Sequence, residues 1–87
     1  MHSIFRTHPT EASLRHLLTQ SLGVDATNIE PDRELTEALG IDSLSSLEVM
    51  ASVETEFGVF FPPEHLSRPR TLSKILESIE EVSREAP

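Results

Sequence analysis

The stretch Leu39–Gly58, LGIDSLSSLEVMASVETEFG, contains a helical pattern with two apolar stripes. At about 100° per residue, the two stripes fall on nearly opposite sides of a helix. The stripe expected to face the core comprises Val49, Met50, Val53 and Phe57. The stripe expected to face outward comprises Leu44, Leu47 and Ala51. We therefore predict a helix over 43–57 that ends at Gly58 and presents apolar side chains on both sides.

Three further segments are predicted to be helical. The first runs over 10–22, with Thr10 as its N-cap and Gly23 as its C-cap. A second begins at Thr71, and Pro63 can start a short helical turn before it. The long connection over 24–41 contains helix breakers and a possible short turn over 34–39. No segment shows convincing strand alternation, so we predict an all-α four-helix bundle: three principal helices, one short helix and a long first loop.

The length and composition indicate one small domain without cysteine chemistry. The chain has 87 residues, no cysteine and no apolar run long enough for a transmembrane helix. We expect a flexible tail over 1–9, one folded domain over 10–84 and a frayed C-terminus over 85–87. The missing cysteines exclude disulfides and thiolate metal sites. They also favour a cytoplasmic protein, and we expect it to be monomeric.

The charge is unevenly distributed along the chain. The formal net charge is −8, which argues against a nucleic-acid partner and favours basic protein surfaces. No Lys or Arg occurs from Glu34 through Ser67, whereas seven acidic residues do. One continuous region, centred on the sequence LGIDSL, therefore carries charge of a single sign.

Catalysis and metal binding have little support in the sequence. The four histidines lack the i, i+4 spacing of a helical zinc site and are expected to face solvent: His2, His8, His16 and His65. The chain has no D-x-D-x-D-G calcium loop. A serine hydrolase is a further possibility because Ser, His and Asp are present, yet there is no G-x-S-x-G elbow. We therefore expect no metal and no autonomous catalysis.

The pair Asp42-Ser43 has two interpretations. Asp or Ser at a helix start is the ordinary N-cap, which would explain the pair without any chemistry. Alternatively, Ser43 could carry a phosphate-linked group, because the free N–H groups and dipole of a helix N-terminus stabilise an anion. The outward apolar stripe on the same helix favours the second interpretation.

The motif L-G-x-D-S-L, here Leu39 to Leu44, resembles the acyl carrier protein family. The similarity extends over roughly 10–81, including the length of the first loop and the exit from the second long helix. The resemblance implies that Ser43 receives 4′-phosphopantetheine from coenzyme A through a phosphopantetheinyl transferase. The thiol of that arm would hold acyl groups as thioesters, and the chain itself would catalyse nothing.

The resemblance also assigns roles to the neighbours of Ser43. Asp42 would cap the helix and help the transferase position its metal ion. Acyl-loading and acyl-processing enzymes with basic surfaces would dock on the same helix. The docking residues implied by the resemblance are Leu44, Leu47, Glu48, Ala51, Glu54 and Glu56.

Some positions depart from the family pattern. Ser45 and Ser46 stand where fatty-acid carriers usually have an acid, and Phe60-Phe61 is bulkier than the usual helix exit. These departures suggest a free-standing carrier for fatty-acid-like, polyketide or other specialised biosynthesis. Two alternatives remain open: an aminoacyl or peptidyl carrier with the same arm, and an acidic helical interaction module without an arm.

Overall fold

The computed structural model describes residues 9–85, and five helices lie in this part of the chain. They are α1 (Glu11–Leu22), α2 (Leu35–Leu39), α3 (Ser43–Phe57), α4 (Pro63–Leu66) and α5 (Leu72–Glu85). Three are long and two are short, and the described residues form no strand. The predicted all-α class and its three principal helices are confirmed, with the possible turn over 34–39 present as α2.

The helix ends follow from capping residues read in the sequence. The Thr10 side chain accepts a hydrogen bond from the Ser13 N–H, and the Ser13 side chain in turn accepts one from the Thr10 N–H. Thr71 similarly caps α5 by accepting from the Lys74 N–H at 3.0 Å. Gly58 ends α3 in the left-handed conformation, with φ of 67°, which glycine adopts without steric cost.

The core forms where α1, α3 and α5 meet. All four residues of the predicted core-facing stripe of α3 are buried: Val49, Met50, Val53 and Phe57. They pack with buried residues of α1, α2 and α5 and with single residues of the connections: Leu14, Leu17, Leu18, Ala26, Leu35, Phe61, Leu72, Ile75 and Ile79. Burial of this apolar surface is the main force that holds so small a domain together.

The long first loop is tied to both neighbouring long helices. The Arg15 guanidinium on α1 donates to the carbonyls of Ala26 and Thr27 at 2.7 and 3.0 Å. Near the start of α5, the Ser73 N–H donates to the Pro31 carbonyl at 3.0 Å. These bonds satisfy loop carbonyls that would otherwise need water, and they hold the chain that leads into α3.

A second set of bonds joins the start of α2 to the segment before α5. The Glu34 carboxylate accepts the Arg70 N–H at 3.0 and 3.1 Å, and the Leu35 N–H donates to the Arg70 carbonyl at 2.8 Å. The Arg70 side chain donates to the carbonyls of Leu66 and Arg68. The loop before α3 and the connection before α5 are thereby joined into one layer.

The expectation that all four histidines face solvent is wrong for His65. The proline-started helix α4 folds His65 inward, where it is 5% exposed and stacks on Phe61 with ring centroids 6.3 Å apart. His16 is exposed, as predicted. His2 and His8, with most of the expected tails over 1–9 and 85–87, lie outside the described residues.

Candidate functional site at the start of α3

Ser43 is the first residue of α3, the longest helix of the described chain. Gly40 precedes it in the left-handed conformation, with φ of 65°, and ends α2. The chain therefore leaves one helix and enters the next within three residues. This turn leaves the Ser43 side chain exposed, and its hydroxyl makes no hydrogen bond to any other residue within 9–85.

Asp42 is the N-cap of α3, as predicted. Its Oδ1 accepts the Ser45 N–H at 2.8 Å, and its carbonyl accepts the Ser46 N–H at 3.0 Å. The hydrogen bonds from the Ser45 backbone and side chain lower the pKa of the Asp42 carboxyl. The cap therefore stays ionised at neutral pH, next to the positive end of the helix dipole.

The geometry of this helix start suits a phosphate-linked group on Ser43. The hydroxyl is exposed at the N-terminus of a helix of 15 residues, where the backbone dipoles favour a phosphodiester. The Asp42 charge lies nearby and opposes a second anion, but the Ser45 N–H engages it. Ser46, one turn further on, is 5% exposed, so the core-facing side of α3 begins immediately behind the site.

The outward stripe of α3 has the exposure predicted for it. Leu44 is 67% and Leu47 48% exposed, and Ala51 is exposed as well. Exposed leucines in such a row cost solubility and often mark a binding surface. Glu48 is exposed on the same helix and adds negative charge beside the two leucines.

The other two predicted docking residues are placed differently from Glu48. Glu54 is half-buried, and its Oε2 accepts the Phe61 N–H at 2.7 Å. This carboxylate thus stabilises the turn after α3, a role that the helical pattern could not reveal because its partner lies beyond the helix. Glu56 is half-buried beside an open groove between α1 and α3, with a volume of about 350 Å³.

The described residues offer no cluster of three or more His, Asp or Glu that could hold a metal ion. A larger open groove of about 650 Å³ lies between α1 and the first loop, next to Arg15 and His16. Ser43 lines neither groove. Within residues 9–85, no helix is both long and apolar enough to cross a bilayer.

Comparison with known protein families shows which family has a site of this kind. A family model described as "Phosphopantetheine attachment site" matches residues 12–79, which include the whole helix start around Ser43. The chain belongs to this family of phosphopantetheine-bearing carriers. Its cofactor is 4′-phosphopantetheine, and its role is that of an acyl carrier rather than an enzyme.

Curated relatives agree with the family match. The meromycolate extension acyl carrier protein of Mycolicibacterium aurum is 29% identical over 76 residues, covering 87% of this chain and 78% of that protein. The protein of the same description from Mycobacterium tuberculosis H37Rv is also 29% identical over 76 residues, covering 66% of its length. The acyl carrier protein of Micrococcus luteus is 28% identical over 69 residues, covering 79% of this chain and 85% of that protein.

Proposed function

We propose that Ser43 is the residue that carries 4′-phosphopantetheine, and that the chain presents acyl thioesters to the enzymes of a fatty-acid-like extension pathway. The observation that carries this proposal is the exposed hydroxyl at the first position of α3, directly after the Asp42 cap. The family match spans this position, and the relatives named above are described as acyl carrier proteins, two of them as meromycolate extension acyl carrier proteins.

Ser43 would act as the acceptor in the transfer from coenzyme A. Its Oγ forms a bond to the β-phosphorus while the phosphoanhydride bond of coenzyme A breaks. The hydroxyl proton goes to a base, and adenosine 3′,5′-bisphosphate leaves with the bonding electrons. When bound, the arm supplies a thiol that holds acyl groups as thioesters. The N-terminus of α3 then lies beside the phosphodiester and stabilises its charge.

Asp42 would serve both the helix and the transferase. Asn caps a helix about as well as Asp but lacks the charge that could help to position a metal ion. We expect Asp42→Asn to keep α3 folded and to slow loading. Circular dichroism and the rate of phosphopantetheine transfer would measure the two effects separately. An unchanged transfer rate would leave Asp42 with the capping role alone.

The partner surface in this proposal is the outward stripe of α3 with its acidic rim. Leu44 and Leu47 supply apolar contact area, and Glu48 attracts basic residues of the loading and processing enzymes. Such pairing speeds encounter and weakens as salt screens it. Partner affinity should therefore fall with added salt and with Glu48→Lys, and a salt-independent affinity would leave the apolar stripe as the docking element.

The decisive experiment measures the intact mass of the chain after incubation with coenzyme A, magnesium and a broad-specificity phosphopantetheinyl transferase. We expect the mass to rise by one phosphopantetheine. Ser43→Ala should abolish the change, whereas the matched variant Ser45→Ala, two residues further along α3, should load normally. If Ser43→Ala were still loaded, the attachment site would be another residue. If the folded wild-type chain were not loaded, the interaction-module alternative would be favoured.

The kind of cargo that the chain accepts then distinguishes an acyl carrier from an aminoacyl carrier. The relatives' descriptions favour an acyl group. The phosphopantetheine-bearing chain should therefore accept fatty acyl groups from an acyl-activating enzyme, and mass spectrometry would detect the thioester. Acceptance of amino acids alone, from amino-acid-activating enzymes, would favour the aminoacyl or peptidyl alternative.

A further inference from the structure

Phe60 is the most exposed large apolar side chain in the described structure. It lies just beyond the C-terminal end of α3, and 77% of its surface is accessible. A single exposed apolar residue needs no special explanation by itself. Phe60 differs because the backbone on each side of it is held in place.

Glu54 holds both neighbours of Phe60. The Val59 N–H donates to the Glu54 carbonyl at 3.0 Å, and the Phe61 N–H donates to the Glu54 carboxylate at 2.7 Å. One residue of α3 therefore fixes the chain immediately before and immediately after the exposed ring. A hydrogen bond to a carboxylate is stronger than one between neutral groups, which makes the second of these restraints firm.

The residues that follow add a third restraint. Phe61 is 1% exposed and stacks on the buried ring of His65. Pro62 comes next, with its ring fixing φ near −69°, and Pro63 starts α4. Moving Phe60 into the core would require Phe61 to leave it. The ring is thus displayed by an ordered turn, and a partner would pay little conformational entropy to bind it.

We propose that Phe60 is a second docking point, which inserts into an apolar pocket with a basic rim on one of the enzymes that load or process the carrier. This inference rests on the proposed carrier function. Aromatic side chains that enter desolvated pockets commonly dominate binding energy. The acidic residues nearest in sequence are Glu56 and Glu64, and no Lys or Arg occurs over 34–67.

The negative charge of the chain favours a basic enzyme surface as the partner of Phe60 over a second copy of the chain or a membrane. A second copy of the chain would bring its own net charge of −8 against the same acidic surroundings. An anionic membrane surface would be repelled for the same reason. A basic protein surface is attracted, and the apolar pocket within it buries the ring.

The position of Phe60 complements that of Ser43. The two residues lie at opposite ends of α3, whose 15 residues span roughly 21 Å at 1.5 Å per residue. An enzyme that contacts Phe60 would hold the carrier at the far end of the helix while the modified end faces its catalytic centre. Enzymes that accept the carrier would then be distinguished by a pocket that lies about one helix length from the point where they contact Ser43.

The test measures binding without depending on the arm. Ser43→Ala and Ser43→Ala/Phe60→Ser chains would be titrated with the purified transferase, acyl-loading enzyme and condensing enzyme of the organism that encodes the protein. We expect Phe60→Ser to raise the dissociation constant for at least one of these enzymes by about tenfold or more. Phe60→Leu, which keeps an apolar side chain, should retain most of the affinity.

Folding and alternative occupants are controlled in the same series. Phe60→Ser should unfold at the wild-type temperature, because the ring is exposed. Equal affinity of both chains for all three enzymes would overturn the proposal. So would a Phe60-dependent self-association or vesicle binding without any Phe60-dependent enzyme binding. Failure of the carrier function itself would appear separately, as absent mass change at Ser43.

Discussion

The two apolar stripes of α3 have similar composition but opposite surroundings. The stripe of Val53 and Phe57 is fully buried, whereas Leu44 and Leu47 on the other side are 67% and 48% exposed. The first stripe stabilises the domain by removing apolar surface from water. The second lies largely in water, so we expect it to contribute little to folding, and we propose that it contacts partner enzymes. The contrast teaches that hydrophobicity alone does not locate the core; the helical position of each residue does.

The largest expected effect comes from breaking the buried stripe. Phe57→Ala removes a fully buried ring and should lower the free energy of unfolding by about 3–5 kcal/mol. That is a large part of the 5–15 kcal/mol typical of small domains. Urea denaturation followed by circular dichroism would measure it. Phe60→Ala is the matched control, since that ring is exposed, and an equal loss in both variants would contradict the contrast.

A smaller loss is expected where α3 supports the turn that follows it. Glu54→Ala leaves the half-buried Phe61 N–H without its acceptor and should cost about 1–2 kcal/mol. Glu54→Gln keeps an acceptor oxygen and should recover much of that loss. The same urea experiment applies. If Glu54→Ala unfolds like the wild type, the carboxylate is free to serve docking instead of supporting the turn.

Regular features of this fold were predictable from the sequence because their causes are local. Thr10, Asp42 and Gly58 mark helix ends through their own side chains or backbone freedom, and the 3.6-residue period of α3 separates its two faces. The motif around Ser43 was visible for the same reason. These predictions needed no knowledge of residues distant in sequence.

Features that depend on distant contacts were not predictable. Burial of His65 depends on Phe61 and the packing of α4, and the contact of Glu34 with Arg70 spans 36 positions. The structural role of Glu54 likewise requires the chain to turn back after Gly58. Ala26 is fully buried in the first loop, yet a lone small residue gives no periodic signal.

A pH-dependent effect is expected where Arg68, in the segment before α5, contacts Glu81 on that helix. Arg68 donates to both carboxylate oxygens of Glu81 at 2.9 and 3.1 Å and lowers the pKa of Glu81. The pair therefore stabilises the fold above the pKa of an unfolded glutamate, and this contribution is lost as the pH falls through the lower folded value. Glu81→Gln should make stability less dependent on pH between about 5 and 3.

Glu80→Gln provides the control for that measurement. Glu80 pairs with Arg84 on the same helix, but both side chains are mostly exposed, at 75% and 67%. Surface pairs of this kind contribute little to stability. Urea denaturation at a series of pH values should therefore distinguish the two variants. If the unfolding free energy depended on pH in the same way in both, the Arg68 contact would contribute no more than a surface ion pair.

The smallest effect on stability is expected for the outward stripe. This prediction is the most direct test of the difference between the buried and the exposed stripe of α3. Leu47→Ala should change the free energy of unfolding by less than about 0.5 kcal/mol, because its side chain is already half in water. The same substitution should weaken docking of partner enzymes, measured as a higher KM for the loaded carrier. Leu17→Ala on α1 is the matched control, with the same side chain 8% exposed. It should lower stability by about 2–5 kcal/mol. If Leu47→Ala also lowered stability by about 2–5 kcal/mol, both faces of α3 would stabilise the fold. The exposed leucines would then have a structural role, and the proposal that they form a docking surface would lose its support.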